Sequence, residues 1–325
     1  MASTVPAGRV QSTFAPVKLN DGQEIPGIHY GVGTAWYGRG LDPTLISAVK
    51  TAIDVAGYTS IDNAQMYANE ESVGQALKEL GINRDKLYIT SKVGSGIKDI
   101  RATLQDSLKK LGLDYLDLCA SIARKGRTQP IDEDPVIDLI HTPTELGKPG
   151  CPDHAQAWQT MEQLKDEGLV KSIGVSNYRI SDLEKTIKGA KYKPAVNQIE
   201  FHPFVYEKTR PLQDYMNEHG IVLQAYGPTV PVAKNYGGPF EQELKRLTKA
   251  VSERAGSTIE SSQVMLKLAQ QRGAVLVTTS GKDWRMKQQL LAGGIPDLTS
   301  EEMAQLQRAV PGHRRQFMPH MDKED

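Results

Sequence analysis

VKSIGVSNYRISDLEKTIKGAKYKPAVNQIEF, residues 170–201, decides the fold. Residues 170–176 and 195–201 are short runs rich in apolar and β-branched side chains, and the stretch between them, near 181–189, reads as a helix. Two strands joined through one helix argue for parallel pairing with a right-handed crossover. The same unit recurs on both sides. Downstream, a helix around Leu212, Tyr215 and Met216 leads into IVLQAY at 221–226. Helical stripes through Phe240, Leu244, Leu247 and Val251 and through Val264, Met265 and Leu268 then precede AVLVTT at 274–279.

Upstream, Tyr30–Gly33 is followed by a helical face of Leu45, Val49, Ala52, Ile53 and Ala56, with Asp42-Pro43 as its start signal. Strand-like Tyr58–Ile61 and LYIT at 87–90 flank a helix carrying Val73, Ala76, Leu77 and Leu80, and Ile100, Leu104, Leu108 and Leu111 mark the next helix. Trp158, Met161 and Leu164 mark another, before 170. About eight units fit, so the expected class is α/β, a closed (β/α)8 TIM barrel. It carries an opening N-terminal β-hairpin (Phe14–Leu19, then Gln23–Pro26), extra helices and an insertion near the fourth strand. No composition shift splits the chain, so 1–325 is expected to be one barrel domain, with 311–325 as a C-terminal tail.

The fourth strand is ambiguous. Tyr115–Leu118 and Val136–Ile140 carry similar patterns, YLDL and VIDLI. Only a strand running straight into His141 aims that imidazole into a barrel mouth, so the second is expected to be used. Residues 119–135 then form an inserted loop at the N-terminal barrel end. Residues 227–239, rich in Gly and Pro, are expected to be a long loop over one barrel end.

Composition narrows the function. The chain holds 39 Lys plus Arg against 39 Asp plus Glu, 39% hydrophobic and 24% charged residues. No net field draws it to polyanions, so no nucleic-acid role is expected. No apolar run approaches the ~20 residues needed to cross a bilayer, and the first sixteen residues lack a signal-peptide core, so a cytoplasmic protein with no membrane role is expected. Cys119 and Cys151 suit free thiols, and the seven histidines show no paired ligand spacing, so no metal site is expected.

In a barrel of this kind the chemistry belongs at the C-terminal ends of the strands. Asp62 after YTSI, Tyr67 in the following loop, Lys92 at the end of LYITSK and His141 after VIDLI meet that test. Singly they read as a helix cap, a half-buried aromatic, a solvated lysine and a satisfied histidine. Together they make a proton-donating set. A tyrosine of pKa about 10 donates poorly at neutral pH unless a cation stabilises its phenolate; a lysine supplies the cation, and a carboxylate holds the lysine charged. An imidazole across the pocket orients a carbonyl oxygen. Lowering the phenol by two units needs ~2.7 kcal/mol, within reach of one desolvated lysine.

GTAWY at 33–37, DNAQMY at 62–67, ITSK at 89–92, LIHTP at 139–143, GVSN at 174–177, NQIEFHP at 197–203 and AYGP at 225–228 occur in order. With them the chain, from about Lys18 to Val310, resembles the aldo-keto reductases. The resemblance implies a barrel that binds a nicotinamide dinucleotide without a Rossmann glycine fingerprint, and Asp62, Tyr67, Lys92 and His141 as catalytic tetrad, Tyr67 acting as general acid. It implies that Ser176, Asn177 and Gln198 hold the carboxamide, that Tyr226 stacks on the nicotinamide ring, and that Gly33 and Thr34 line the cofactor. Ser176 and Asn177 also read as an N-cap pair. Trp36 is expected either to touch substrate or to pack the barrel rim.

TTSGKDWRMKQQ at 278–289 is similar to the family's adenosine-phosphate segment, with Ser280 and Arg285 fitting and Gln289 where an asparagine is usual. Thr279 stands where many members carry lysine; Lys282 is a nearby substitute, so NADPH is expected, with NADH possible. Thr142, where aldose reductases carry a bulky aromatic, implies a wider substrate pocket. LIHTP with VTTS at 277–280 is similar to the fungal branch of α-keto amide and conjugated polyketone reductases. The expected activity is NAD(P)H-dependent reduction of aldehydes, α-keto amides, vicinal dicarbonyls or aldoses to alcohols, by an alcohol:NADP+ oxidoreductase acting on a small-molecule carbonyl substrate, as monomer or homodimer. A catalytically impaired barrel acting through interaction is the alternative, motivated by the insertion before His141; a metal-dependent barrel hydrolase is a third reading.

Overall fold

A computed structural model describes residues 6–33, 35–94, 97–121 and 146–322. β1 (Val17–Lys18) and β2 (Glu24–Ile25) form the antiparallel hairpin, Val17 opposite Ile25. The parallel strands β3 (Ile28–Gly31), β4 (Ser60–Asp62), β5 (Tyr88–Val93), β6 (Leu116–Ser121), β7 (Val170–Ser176), β8 (Val196–Glu200), β9 (Val222–Tyr226) and β10 (Val275–Thr278) then close into a barrel, β10 pairing with β3.

Outside lie α1 (Pro43–Lys50), prolonged by a π-helical turn at Thr51–Ala56, α2 (Glu70–Leu80), α3 (Ile100–Leu111), α4 (His154–Asp166), α5 (Ile180–Ile187) and α6 (Tyr206–Glu218). The segment read as a long loop, 227–239, holds the short α7 (Val230–Ala233) and the start of α8 (Gly238–Ala255). α9 (Ser261–Gln271), α10 (Asp283–Leu291) and α11 (Ser300–Arg308) follow.

α3 shows how sequence makes these helices. Asp99 caps its start by accepting from Ala102 N at 2.9 Å, and Gly112 ends it at φ +67°. Ile100, Leu104, Leu108 and Leu111 fall on one buried face.

The fourth barrel strand is Leu116–Ser121, which corrects the expectation of Val136–Ile140. β6 pairs with β5 through Lys92↔Ala120 and with β7 through Leu118↔Ser172. Asp117 explains the choice: its carboxylate accepts from Ile89 N at 2.9 Å and from Arg84 at 2.6 Å, and pairs with Lys171 at 3.2 Å, tying the segment to both neighbours. Residues 119–121 are therefore strand rather than loop, and the rest of the expected loop, 122–135, lies outside the described residues. The Val136–Ile140 segment and His141 lie outside the described residues.

The N-terminal end of the barrel is covered by the β1–β2 hairpin. Leu19 and Ile25 pack with Leu118, Ala195, Val196 and Val275 in an apolar layer of their own. Asn20 Nδ2 donates to Pro194 O at 2.8 Å, and Lys165 pairs with Asp21 at 2.8 Å, anchoring the turn.

Candidate active site

At the opposite end, β4 stops at Asp62 and β5 carries Lys92, both directed into the barrel and buried. Lys92 Nζ lies 2.5 Å from Asp62 Oδ1 and 2.8 Å from Asn63 O, while Asp62 Oδ2 accepts from Gln198 Nε2 at 2.7 Å. Both carboxylate oxygens thus have a partner, which offsets the cost of burying the pair. Gln198 also donates to Gln224 Oε1 at 2.8 Å, extending the network across β8 and β9.

Tyr67 sits in a 3-10 turn, Gln65–Tyr67, after β4. Ala68, at φ +50°, reverses the chain, and Gly38 N and Gly40 N donate to the carbonyls of Tyr67 and Ala68 at 2.8 and 2.9 Å. Asn69 Nδ2 ties the loop to Val32 O at 2.8 Å. These bonds bring the phenol to 3.4 Å from Lys92 Nζ. The space is tight on the other side: a Cβ on Gly33 would lie 2.8 Å from Tyr67 Cζ.

The expected acidification of the phenol does not follow from these neighbours alone. Burial pushes Tyr67 above the ordinary tyrosine value, and Lys92 recovers only part of the difference. Burial would lower Lys92, but Asp62 and Tyr67 together hold it above the usual lysine range. At neutral pH the site therefore holds a protonated phenol against a charged ammonium.

Beside this cluster, Ser176 ends β7 and donates to Gln198 O at 3.0 Å. Asn177 follows in the left-handed region at φ +58°, a conformation asparagine tolerates better than most. Its N–H donates to Gln198 O at 3.0 Å, its Nδ2 to Ser176 Oγ at 3.1 Å, and its Oδ1 accepts from Tyr226 OH at 2.9 Å. Tyr226, half-buried at the end of β9, completes this ledge. Gln198 Oε1 has no partner among the described residues.

Past β10, Ser280 Oγ accepts from Lys282 N at 3.1 Å, and Tyr30 OH donates to Ser280 O at 2.8 Å. Lys282 and Arg285 have no carboxylate partner among the described residues; they flank exposed Trp284 at 5.9 and 4.9 Å from its ring centre. Gln289 is buried, accepting from Tyr58 OH at 3.1 Å and donating to Thr279 O at 3.2 Å, so its amide is largely engaged within the protein. Trp36 is half-buried against the core, with Arg39 5.7 Å above its ring. Thr34, His141 and Thr142 lie outside the described residues.

Three parts of the site escaped the sequence reading: the Asn63 carbonyl, Gln224, and the tail beyond 311. Inward parity on β9, two residues before Tyr226, was the available signal for Gln224; the tail offered no periodicity. Cys119 is buried, its thiol pushed up to about 12 by burial. Among the described residues there is no group of three or more His, Cys, Asp or Glu able to hold a metal, and no helix long and apolar enough to cross a membrane.

The aldo/keto reductase family model matches residues 30–310. The chain belongs to the aldo/keto reductase family. It is 37% identical over 307 residues to an NAD/NADP-dependent indole-3-acetaldehyde reductase of Schizosaccharomyces pombe, covering 93% of this chain and 98% of that one. It is 34% identical to an NADPH-dependent alpha-keto amide reductase of Saccharomyces cerevisiae, with 88% and 87% covered. An aldo/keto reductase from Brucella melitensis, solved by crystallography, superposes with TM-score 0.69 at 30% identity, over 91% of this chain and 99% of the other.

Proposed function

We propose that this aldo/keto reductase is an NADPH-dependent carbonyl reductase in which Tyr67 is the general acid and Asp62, Lys92 and His141 complete the tetrad. The observation that carries the reading is the buried Asp62–Lys92 pair with the Tyr67 hydroxyl 3.4 Å from the ammonium at the barrel mouth. The protonated phenol can donate to a carbonyl oxygen, and the ammonium stabilises the phenolate left behind.

The residues present fit a nicotinamide dinucleotide. Gln198 Oε1, Ser176 and Asn177 offer acceptors and donors to a carboxamide, and Tyr226 offers a ring face beside them. Gly33, against the Tyr67 ring, and its chain neighbour Thr34 are assigned to the cofactor as well. Ser280, Arg285 and Gln289 are assigned to the adenosine end. Lys282 and Arg285, without a carboxylate partner among the described residues, suit a phosphate, which favours NADPH over NADH. When bound, the dinucleotide supplies the hydride. Trp36 and Thr142 are assigned to the substrate. The relatives' names and the LIHTP motif support α-keto amides, vicinal dicarbonyls and aldehydes over simple aldoses. A cytoplasmic monomer or homodimer of one domain, 1–325, is the accompanying assignment.

Tyr67→Phe removes the proton donor while keeping the ring. Turnover of a vicinal dicarbonyl is expected to fall by at least about 10²-fold, with NADPH affinity by calorimetry unchanged; retained turnover refutes the acid role. A second reading, a barrel that binds dinucleotide but is catalytically impaired, is favoured by one observation: nineteen residues separate Ser121, the end of β6, from His141. Stopped-flow mixing of the NADPH-loaded protein with a dicarbonyl separates the two, since binding without oxidation supports the impaired barrel.

A further inference from the structure

The last residues of the chain are docked on the barrel mouth by a buried carboxylate. Glu200 ends β8, opposite Tyr226 on β9, and is fully buried. Its Oε1 accepts from Gln316 N at 2.7 Å and from His202 Nε2 at 2.9 Å, and its Oε2 accepts from Phe317 N at 3.0 Å. Arg315 lies 4.0 Å from Oε2 and turns its Nε to Asp322 at 2.8 Å; Asp322 also accepts from His313 at 2.7 Å. Arg314 N donates to Phe204 O at 3.0 Å, and Met318 is fully buried.

This tail reaches both sides of the Asn177–Tyr226 ledge. The Phe317 ring meets the Tyr226 ring edge-on, 5.8 Å between centres, and His320 Nε2 lies 3.1 Å from Asn177 O. Tyr226 and Asn177 are joined by their own hydrogen bond, so one clasped segment braces the two ends of a single unit. Burial costs Glu200, but His202 and the two tail amides hold its carboxyl below the usual glutamate range.

We propose that Glu200 is a positioning residue for dinucleotide binding: through the tail it fixes Tyr226 and Asn177, so affinity and residence time depend on a carboxylate seated behind the ledge. The inference rests on the assignment of Asn177 and Tyr226 to the nicotinamide end. Amides bonded to a carboxylate are held roughly twice as strongly as amides bonded to a neutral acceptor, and the ledge loses its brace when they are released.

Glu200→Gln keeps the volume and removes the charge; Phe317→Ala removes the edge contact while leaving the carboxylate. NADPH affinity is measured by calorimetry, dissociation by stopped flow, tail exchange by amide hydrogen exchange over 313–322, and folding by circular dichroism. Glu200→Gln is expected to speed exchange at Gln316 and Phe317, raise the NADPH Kd about tenfold through faster dissociation, and leave kcat at saturating NADPH within about threefold. Phe317→Ala is expected to raise Kd in the same direction. A purely structural role would shift the melting temperature and leave Kd unchanged at a temperature where all variants are folded. Faster exchange with an unchanged Kd overturns the inference and spares the proposed function. Failure of the unaltered protein to bind NADPH overturns both. If Glu200→Gln does not fold, Phe317→Ala decides by the same Kd.

Discussion

The register of β6 yields a sharp prediction about His141. Lys92 points into the barrel and pairs with Ala120, while the next pairs are Val93↔Ser121 and Ser121↔Val175. Excising Ser121–Leu139, nineteen residues, joins Ala120 to Ile140 and gives the run LDLCAIHTP. Ile140 then takes the position of Ser121, turned outward, and His141 falls level with Ser176 on the inward side, because side chains alternate along a strand. It stands two residues, about 6.6 Å, up the strand from Ala120. Excising twenty residues, Ala120–Leu139, reverses the parity and turns His141 out.

Shortening the link between strand and Leu146 from twenty-four residues to five also lowers its closure entropy, stabilising the shorter protein by about 1.4 kcal/mol. Dicarbonyl reduction followed at the NADPH absorbance band is the assay. In the nineteen-residue excision, adding His141→Ala is expected to cost at least about 10²-fold in kcat. In the twenty-residue excision the same substitution is expected to cost less than about threefold. Equal dependence on His141 in both would refute the register argument.

Two further outcomes follow from packing and charge. Gly33→Ala places a methyl 2.8 Å from Tyr67 Cζ, so the phenol must shift; a stability loss of about 1–3 kcal/mol in urea unfolding and at least a roughly tenfold loss of kcat are expected, and wild-type values for both would contradict the tight fit. His29, in the barrel interior, is held down to about 4 by burial, with Asp62 opposing part of the effect. The unfolded chain takes up this proton near pH 6.5, so the contribution is fully present above that pH and is lost as pH falls toward 4. It amounts to about 3 kcal/mol across that window. Urea midpoints from pH 7 to 4.5 should fall more steeply in the natural protein than in His29→Leu; parallel slopes would remove the argument.

Much of the barrel is legible in local pattern, because each βα unit carries its own periodicity and caps. Asp99 and Gly112 bound a helix whose apolar spacing alone identifies it. Asp62 and Lys92 are equally readable, since the ends of barrel strands share one face. The fourth strand is not, because YLDL and VIDLI carry the same local signal. The choice is made by Asp117 reaching Ile89, Arg84 and Lys171, contacts that no window of sequence contains. The tail is invisible for a related reason: its partner, Glu200, lies more than a hundred residues away. The state of the Tyr67 phenol depends on burial, which a list of neighbouring charges leaves out.

The hairpin plugs the lower end of a barrel whose interior is already filled with side chains. With Leu19 and Ile25 seated on that end, any molecule that meets the Lys92 ammonium has to arrive over the opposite rim, past the Tyr67 ring.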